Sequence, residues 1–126
     1  MIGRRCTVMN TIHQIANRLA QLCREKKFME AYDELYADES VAVLPVNLHI
    51  PHVKRLKTVI ERIRQILSNV IIHKIEVSNP LFSGNYFVLN FHVDFTLKHR
   101  SRQDVQELCV CHLEDGKITW QPRFLD

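Results

Sequence analysis

The stretch Val105–Phe124, VQELCVCHLEDGKITWQPRF, reads as two strands folded about a two-residue turn. Asp115-Gly116 is the turn signal, because a tight hairpin needs positive φ at both central residues and Asp-Gly tolerates it. With Glu114 and Lys117 as the closing pair, Leu113 falls opposite Ile118, Cys111 opposite Trp120, Cys109 opposite Pro122 and Glu107 opposite Phe124. Side chains alternate along a strand, so Val105, Glu107, Cys109, Cys111 and Leu113 share one face. That face is apolar except for Glu107. The other carries Gln106, His112, Thr119, Gln121 and Arg123. An extra residue in either strand would invert part of this register.

Upstream, the pattern stays β. Tyr86–Leu97 alternates, with Phe87, Leu89, Phe91, Val93, Phe95 and Leu97 facing one way and Asn90, His92, Asp94 and Thr96 the other. Ile71–Ser78 also alternates, which predicts Ile71, His73, Ile75 and Val77 on one side and Ile72, Lys74 and Glu76 on the other. Asn79-Pro80 and Gly84-Asn85 supply turn chemistry between these strands. The first half of the chain changes period. Ile12, Ile15, Ala16, Leu19, Leu22 and Cys23 form one helical stripe, with Asn10 or Thr11 as its cap. Arg24–Lys27 (REKK) breaks that stripe, and Phe28, Ala31, Tyr32, Leu35 and Tyr36 form a second one. A β-branched run follows at Ser40–Val46, then a third helix carrying Leu56, Val59, Ile60, Ile63, Ile66, Leu67 and Val70. Helices followed by long strands with one apolar face define an α+β class. The expected architecture is a single domain over residues 1–126: a cone-shaped, curved antiparallel sheet packed against the N-terminal helices, enclosing a hollow suited to a small ligand.

Composition excludes several classes of function. At 126 residues, 46% apolar and 25% charged, the chain has ordinary globular content, and its formal charge of +3 is spread out. Lys98-His99-Arg100-Ser101-Arg102, the densest basic stretch, falls in a predicted turn. The chain has three glycines, no Gly-rich phosphate loop and no basic strip interleaved with aromatics, so no nucleic-acid partner is expected. No apolar run approaches the roughly 20 residues that span a bilayer, and no membrane partner is expected. Arg4 and Arg5 are not followed by an apolar stretch, so a secretory signal is not expected either. Cys6, Cys23, Cys109 and Cys111 have no zinc-ribbon or finger spacing; we read them as free thiols in a cytoplasmic, reducing setting, with no metal and no cofactor.

The order of these pieces resembles a known family. ELYADESVAV (34–43), NPLFSGNYFVLNFHVDFTLK (79–98), QELCVCHLEDGKI (106–118) and the terminal RFLD are similar to the SnoaL-like families of the nuclear transport factor 2-like superfamily. The resemblance implies a conical α+β barrel that dimerises through its outer sheet face. Its members include polyketide cyclases, isomerase-like enzymes, dehydratases and non-catalytic ligand-binding proteins. This chain departs from the family pattern at two places that bear on chemistry. An acid pair is reduced to Gln106-Glu107, and an acidic position in the segment matching Ala42–Pro45 is absent. A glycine before the third helix is also replaced, by the HVKRL sequence at 52–56.

Three functions remain open at this point. The first is binding of a small apolar molecule in a pocket lined by Tyr32, Tyr36, Phe91, Val93, Cys109, Trp120 and Phe124. The second is a cofactor-independent enzyme of isomerase or cyclase type. In it Glu107, desolvated among apolar neighbours, would act as general acid or base, coupled to His73 on the same inferred face. The third is a non-catalytic dimerisation domain. The expected homodimer interface is the polar outer face, Asn90, His92, Asp94, Gln106, His112 and Gln121.

Overall fold

The computed structural model describes residues 11–43, 53–121 and 123–125. Helix α1 (Ile12–Arg24) opens on a reciprocal cap. Gln14 N–H donates to Thr11 Oγ1 at 3.1 Å, and Thr11 N–H donates to Gln14 Oε1 at 3.3 Å. Its buried stripe is Ile15, Ala16, Leu19, Ala20, Leu22 and Cys23, as the three-and-four spacing predicts. Helix α2 (Phe28–Leu35) follows within a few residues, and a two-pronged bond from Arg18 to Glu34, 2.8 and 3.0 Å, ties the two helices together. Tyr36, expected as the last residue of the α2 stripe, instead starts strand β1 (Tyr36–Val43) and is buried there. Then come β2 (Val53–Arg55), α3 (Leu56–Ser68), β3 (Val70–Val77), β4 (Leu81–Ser83), β5 (Tyr86–Leu97), β6 (Arg102–Glu114), β7 (Lys117–Gln121) and β8 (Arg123–Leu125).

The sheet corrects the expected architecture. Its strands run β2-β1-β7-β6-β5-β3, with β4 added on β5 and β8 on β6. Among the described residues this path has two ends, β2 and β3, that do not pair, so the sheet is open rather than rolled into a cone. Nor is it antiparallel throughout: β1 lies parallel to β7, with Tyr36 beside Ile118 and Val41 beside Trp120. The class, α+β with N-terminal helices, stands. The local signals read from the sequence, hairpin turns and alternation, report neighbours in the chain. The β1–β7 contact joins segments some eighty positions apart and leaves no such mark.

The core lies between α1 and the inner face of β5–β7. Phe87, Leu89, Cys109, Cys111 and Ile118 are fully buried there together with Ile15, Leu19 and Leu22. The β6–β7 turn has the expected form, with positive φ at Asp115 and Gly116 and pairing of Glu114 with Lys117 and Leu113 with Ile118. Beyond it a bulge intervenes. Trp120 pairs with His112, not Cys111, and β8 pairs Phe124 with Leu108, Leu125 with Glu107 and Arg123 with Cys109. A second bulge lies in β3 at His73, between the pairs Ile72–Phe95 and Lys74–Asp94. It reverses the alternation of the strand start: Ile71 turns outward and is 63% exposed, while Ile72, Ile75 and Val77 face inward. Lys98–Ser101 forms the exposed β5–β6 turn, and Arg102 opens β6. Among the described residues no helix is long and apolar enough to cross a membrane.

Candidate functional site

A cavity of about 400 Å³ opens where the α1–α2 turn meets the end of α3 and the start of β3. Lys26, Lys27, Phe28, Met29 and Glu30 line it from the turn and first turn of α2, Leu67 from α3, and Val70 and Ile72 from β3. The turn has a definite cause. After Arg24 the chain closes α1 with two bonds, Lys26 N–H to Cys23 O at 3.0 Å and Lys27 N–H to Leu22 O at 2.8 Å. This pair of bonds requires a left-handed residue between them, which is usually glycine. Here it is Lys26, at φ 62°. The Lys26 ammonium then reaches across to the carbonyl oxygen of Ile72 at 3.2 Å. On the opposite wall α3 is stopped by Asn69, whose side-chain amide donates to Gln65 O at 2.9 Å.

The lining is divided chemically. Phe28, Met29, Leu67, Val70 and Ile72 are all half-buried and form an apolar floor. Lys26, Lys27 and Glu30 are exposed at the rim. Lys27 pairs with Glu25 at 3.2 Å. The Glu25 carboxyl is held below the usual carboxylate range, first by its hydrogen bond from Gln21 and then by Lys27. Such a site can hold an apolar body with a polar end toward solvent. None of the pocket or catalytic residues expected from the sequence lines this cavity. The signal that could have located it is the REKK break, where a lysine holds a position suited to glycine.

The expected site residues divide between the two faces of the sheet. Glu107 points inward, half-buried, between Val105 and Cys109 and directly across from Phe91. Val93, opposite Val105, shares this face, so Glu107, Phe91, Val93 and Cys109 are brought together. Tyr32 and Tyr36 pack against the same core with ring centroids 5.0 Å apart. Trp120 and Phe124 hold register positions opposite His112 and Leu108, one step from those expected. His73 is not brought to Glu107. The bulge turns it to the outer face, where its Nε2 meets Thr96 Oγ1 at 2.8 Å.

Asn90, His92, Asp94, Gln106 and His112 share that outer face, and Gln121 lies at the end of β7. Asp94 and Asp104 stand opposite each other, a like-charge pair that would be unfavourable alone. Each has a cationic or hydrogen-bonding partner. Arg102 forks onto Asp94 at 2.8 and 2.6 Å, holding its carboxyl below the usual range. His92 bridges Asp104 at 2.5 Å and Glu76 at 3.1 Å. Among the described residues no three His, Cys, Asp or Glu side chains converge as a metal site.

A mixed sheet packed against helices, with the long β5–β6 pair within it, is the fold this chain shares with solved NTF2-like proteins. Residues 10–125 match the SnoaL-like domain, and the chain belongs to that family. Among solved structures it is similar to a candidate SnoaL-like polyketide cyclase from Mesorhizobium loti, with 22% identity and a TM-score of 0.78 over 90% of this chain and 98% of that one. It is also similar to an NTF2-like protein of unknown function from Burkholderia pseudomallei (15% identity, TM-score 0.71, 95% and 92% covered). A third is an LEH-like epoxide hydrolase from M. tuberculosis (13% identity, TM-score 0.66, 90% and 80% covered). At these identities the likeness is one of fold. Among curated proteins none matches the chain.

Proposed function

We propose that this SnoaL-like protein binds a small, largely apolar molecule in the cavity between the α1–α2 turn, α3 and β3. The observation that carries this reading is the half-buried apolar floor of Phe28, Met29, Leu67, Val70 and Ile72 around about 400 Å³ of space. That volume is in the range of small-molecule sites. The test is titration with phenylnaphthylamine, an uncharged apolar dye that brightens on leaving water. Saturable brightening is expected, and Leu67→Trp, which fills the cavity, should abolish it while the far-UV circular dichroism stays native. Brightening that does not saturate, or that survives Leu67→Trp and Met29→Trp alike, overturns the reading.

A second reading makes the protein an enzyme that uses Glu107 as acid or base. What favours it is that the inward-facing positions of β3, β5 and β6 hold one acid, set against Phe91. The His73 couple plays no part in it. A carboxylate in apolar surroundings is a competent base for carbon acids. Elimination of nitrobenzisoxazole above background, lost in Glu107→Gln with dye binding retained, would support this reading. Activity that persists in Glu107→Gln would remove it.

A further inference from the structure

We propose that the molecule held at the α1–α2 turn is an amphipathic organic anion, its charged end met by Lys26 and Lys27. This rests on the cavity reading above and names the chemistry of its mouth. Two of the three charged groups lining the cavity are ammoniums and one, Glu30, is a carboxylate. Lys27 is already paired with Glu25. Lys26 is placed differently. Among the described residues no carboxylate pairs with it, and its one contact is the carbonyl oxygen of Ile72, itself a lining residue. An ammonium carries three donors, so this bond anchors the charge at the edge of the cavity and leaves two N–H groups for a ligand.

Three features agree on the sign of that ligand. Lys26 occupies a left-handed position that glycine would fill with less strain, so its side chain is present at a conformational cost. The apolar floor beneath lowers the local polarity, which strengthens a charge-assisted bond to an anion relative to open water. The start of α2 adds to the same field: no side chain caps it, whereas α1 is capped by Thr11. A carboxylate, sulfonate or phosphate monoester on an aromatic or aliphatic body of modest size fits this division of floor and rim.

The experiment compares phenylnaphthylamine with anilinonaphthalene sulfonate, which has the same rings and an added anionic group. The native protein should bind the sulfonate about five- to tenfold more tightly, and added salt should shrink that advantage. Lys26→Gln should remove most of the advantage, weakening the sulfonate far more than the uncharged dye. Lys26→Gly should do the same in a protein at least as stable as the native one, which separates lost charge from lost folding. Equal binding of the two dyes, or a sulfonate preference that survives Lys26→Gln and Lys26→Gly, overturns the anion proposal and leaves the cavity reading standing. If neither dye binds saturably, both fall. If the sulfonate alone binds, and loses it in the Lys26 variants, the anion site stands and the apolar-ligand reading fails.

Discussion

The ammonium of Lys26 lies 3.2 Å from the carbonyl oxygen of Ile72, tying the turn after α1 to the start of β3 across the mouth of the cavity. The same lysine holds φ 62°, in the left-handed region. A side chain is thus retained where the backbone favours its absence.

Lys26→Gly is therefore expected to stabilise the fold by up to about 1 kcal/mol, since relief of left-handed strain outweighs one exposed hydrogen bond. Lys26→Val should destabilise by a similar amount, because a β-branched residue resists that conformation further. Urea unfolding of the two variants measures both. A Gly variant less stable than the native protein would show that the Ile72 bond dominates the local energetics.

The bulge at His73 makes a prediction opposite to simple alternation. Ile71 is 63% exposed and its neighbour Ile72 faces inward. Ile71→Lys should change stability by no more than about 0.5 kcal/mol, and Ile72→Lys should cost roughly 2 kcal/mol or more. Thermal denaturation of the pair decides the matter. The reverse order would mean that β3 pairs with β5 without the bulge.

Glu34 is held below the ordinary carboxylate pKa, first by the hydrogen bond from Arg18. A depressed acid contributes stability above its unfolded pKa and loses it as pH falls through the folded value. The stability difference between the native protein and Arg18→Met should thus be full above about pH 4.5 and shrink below it. Both side chains are more than a third exposed, at 40% and 37%, so the full difference should be no more than about 1 kcal/mol. A difference that grows on acidification would refute the assignment.

Cys109 and Cys111 are fully buried and Cys23 nearly so. Cys6 lies outside the described residues, so Cys6→Ala is the background for a thiol test. In that background no cysteine should react rapidly with an aromatic disulfide reagent in buffer, and three should react in denaturant. Rapid native reaction at one site would show local opening of the core. Phe87→Ala in the same core should cost about 3–5 kcal/mol.

We also propose that the outer sheet face pairs with that of a second copy of the chain. Its support is an apolar area among the polar groups, where Leu108 and Tyr86, both about 41% exposed, flank half-buried Val88 and Val110. Sedimentation should show a dimer for the native protein and a monomer for Leu108→Glu. A monomeric native protein removes the proposal.

Local order decided much of this chain. The three-residue and four-residue spacing of Ile15, Leu19 and Leu22 places α1 and its buried stripe, because a helix repeats every 3.6 residues. Asp115-Gly116 places the β6–β7 turn, and alternation alone sets Glu107 on the face of Cys109 and Cys111. Tertiary structure decided the rest. Two one-residue bulges, at His73 and near Thr119, separated His73 from Glu107 and moved Trp120 and Phe124 by one register step. A side-chain period of two turns any such insertion into a change of face, and which residue is extra depends on the partner strand. The parallel pairing of β1 with β7 and the cavity under Lys26 likewise join segments far apart in the chain. Periodicity records what one segment prefers; where two segments meet is set by the packing of both.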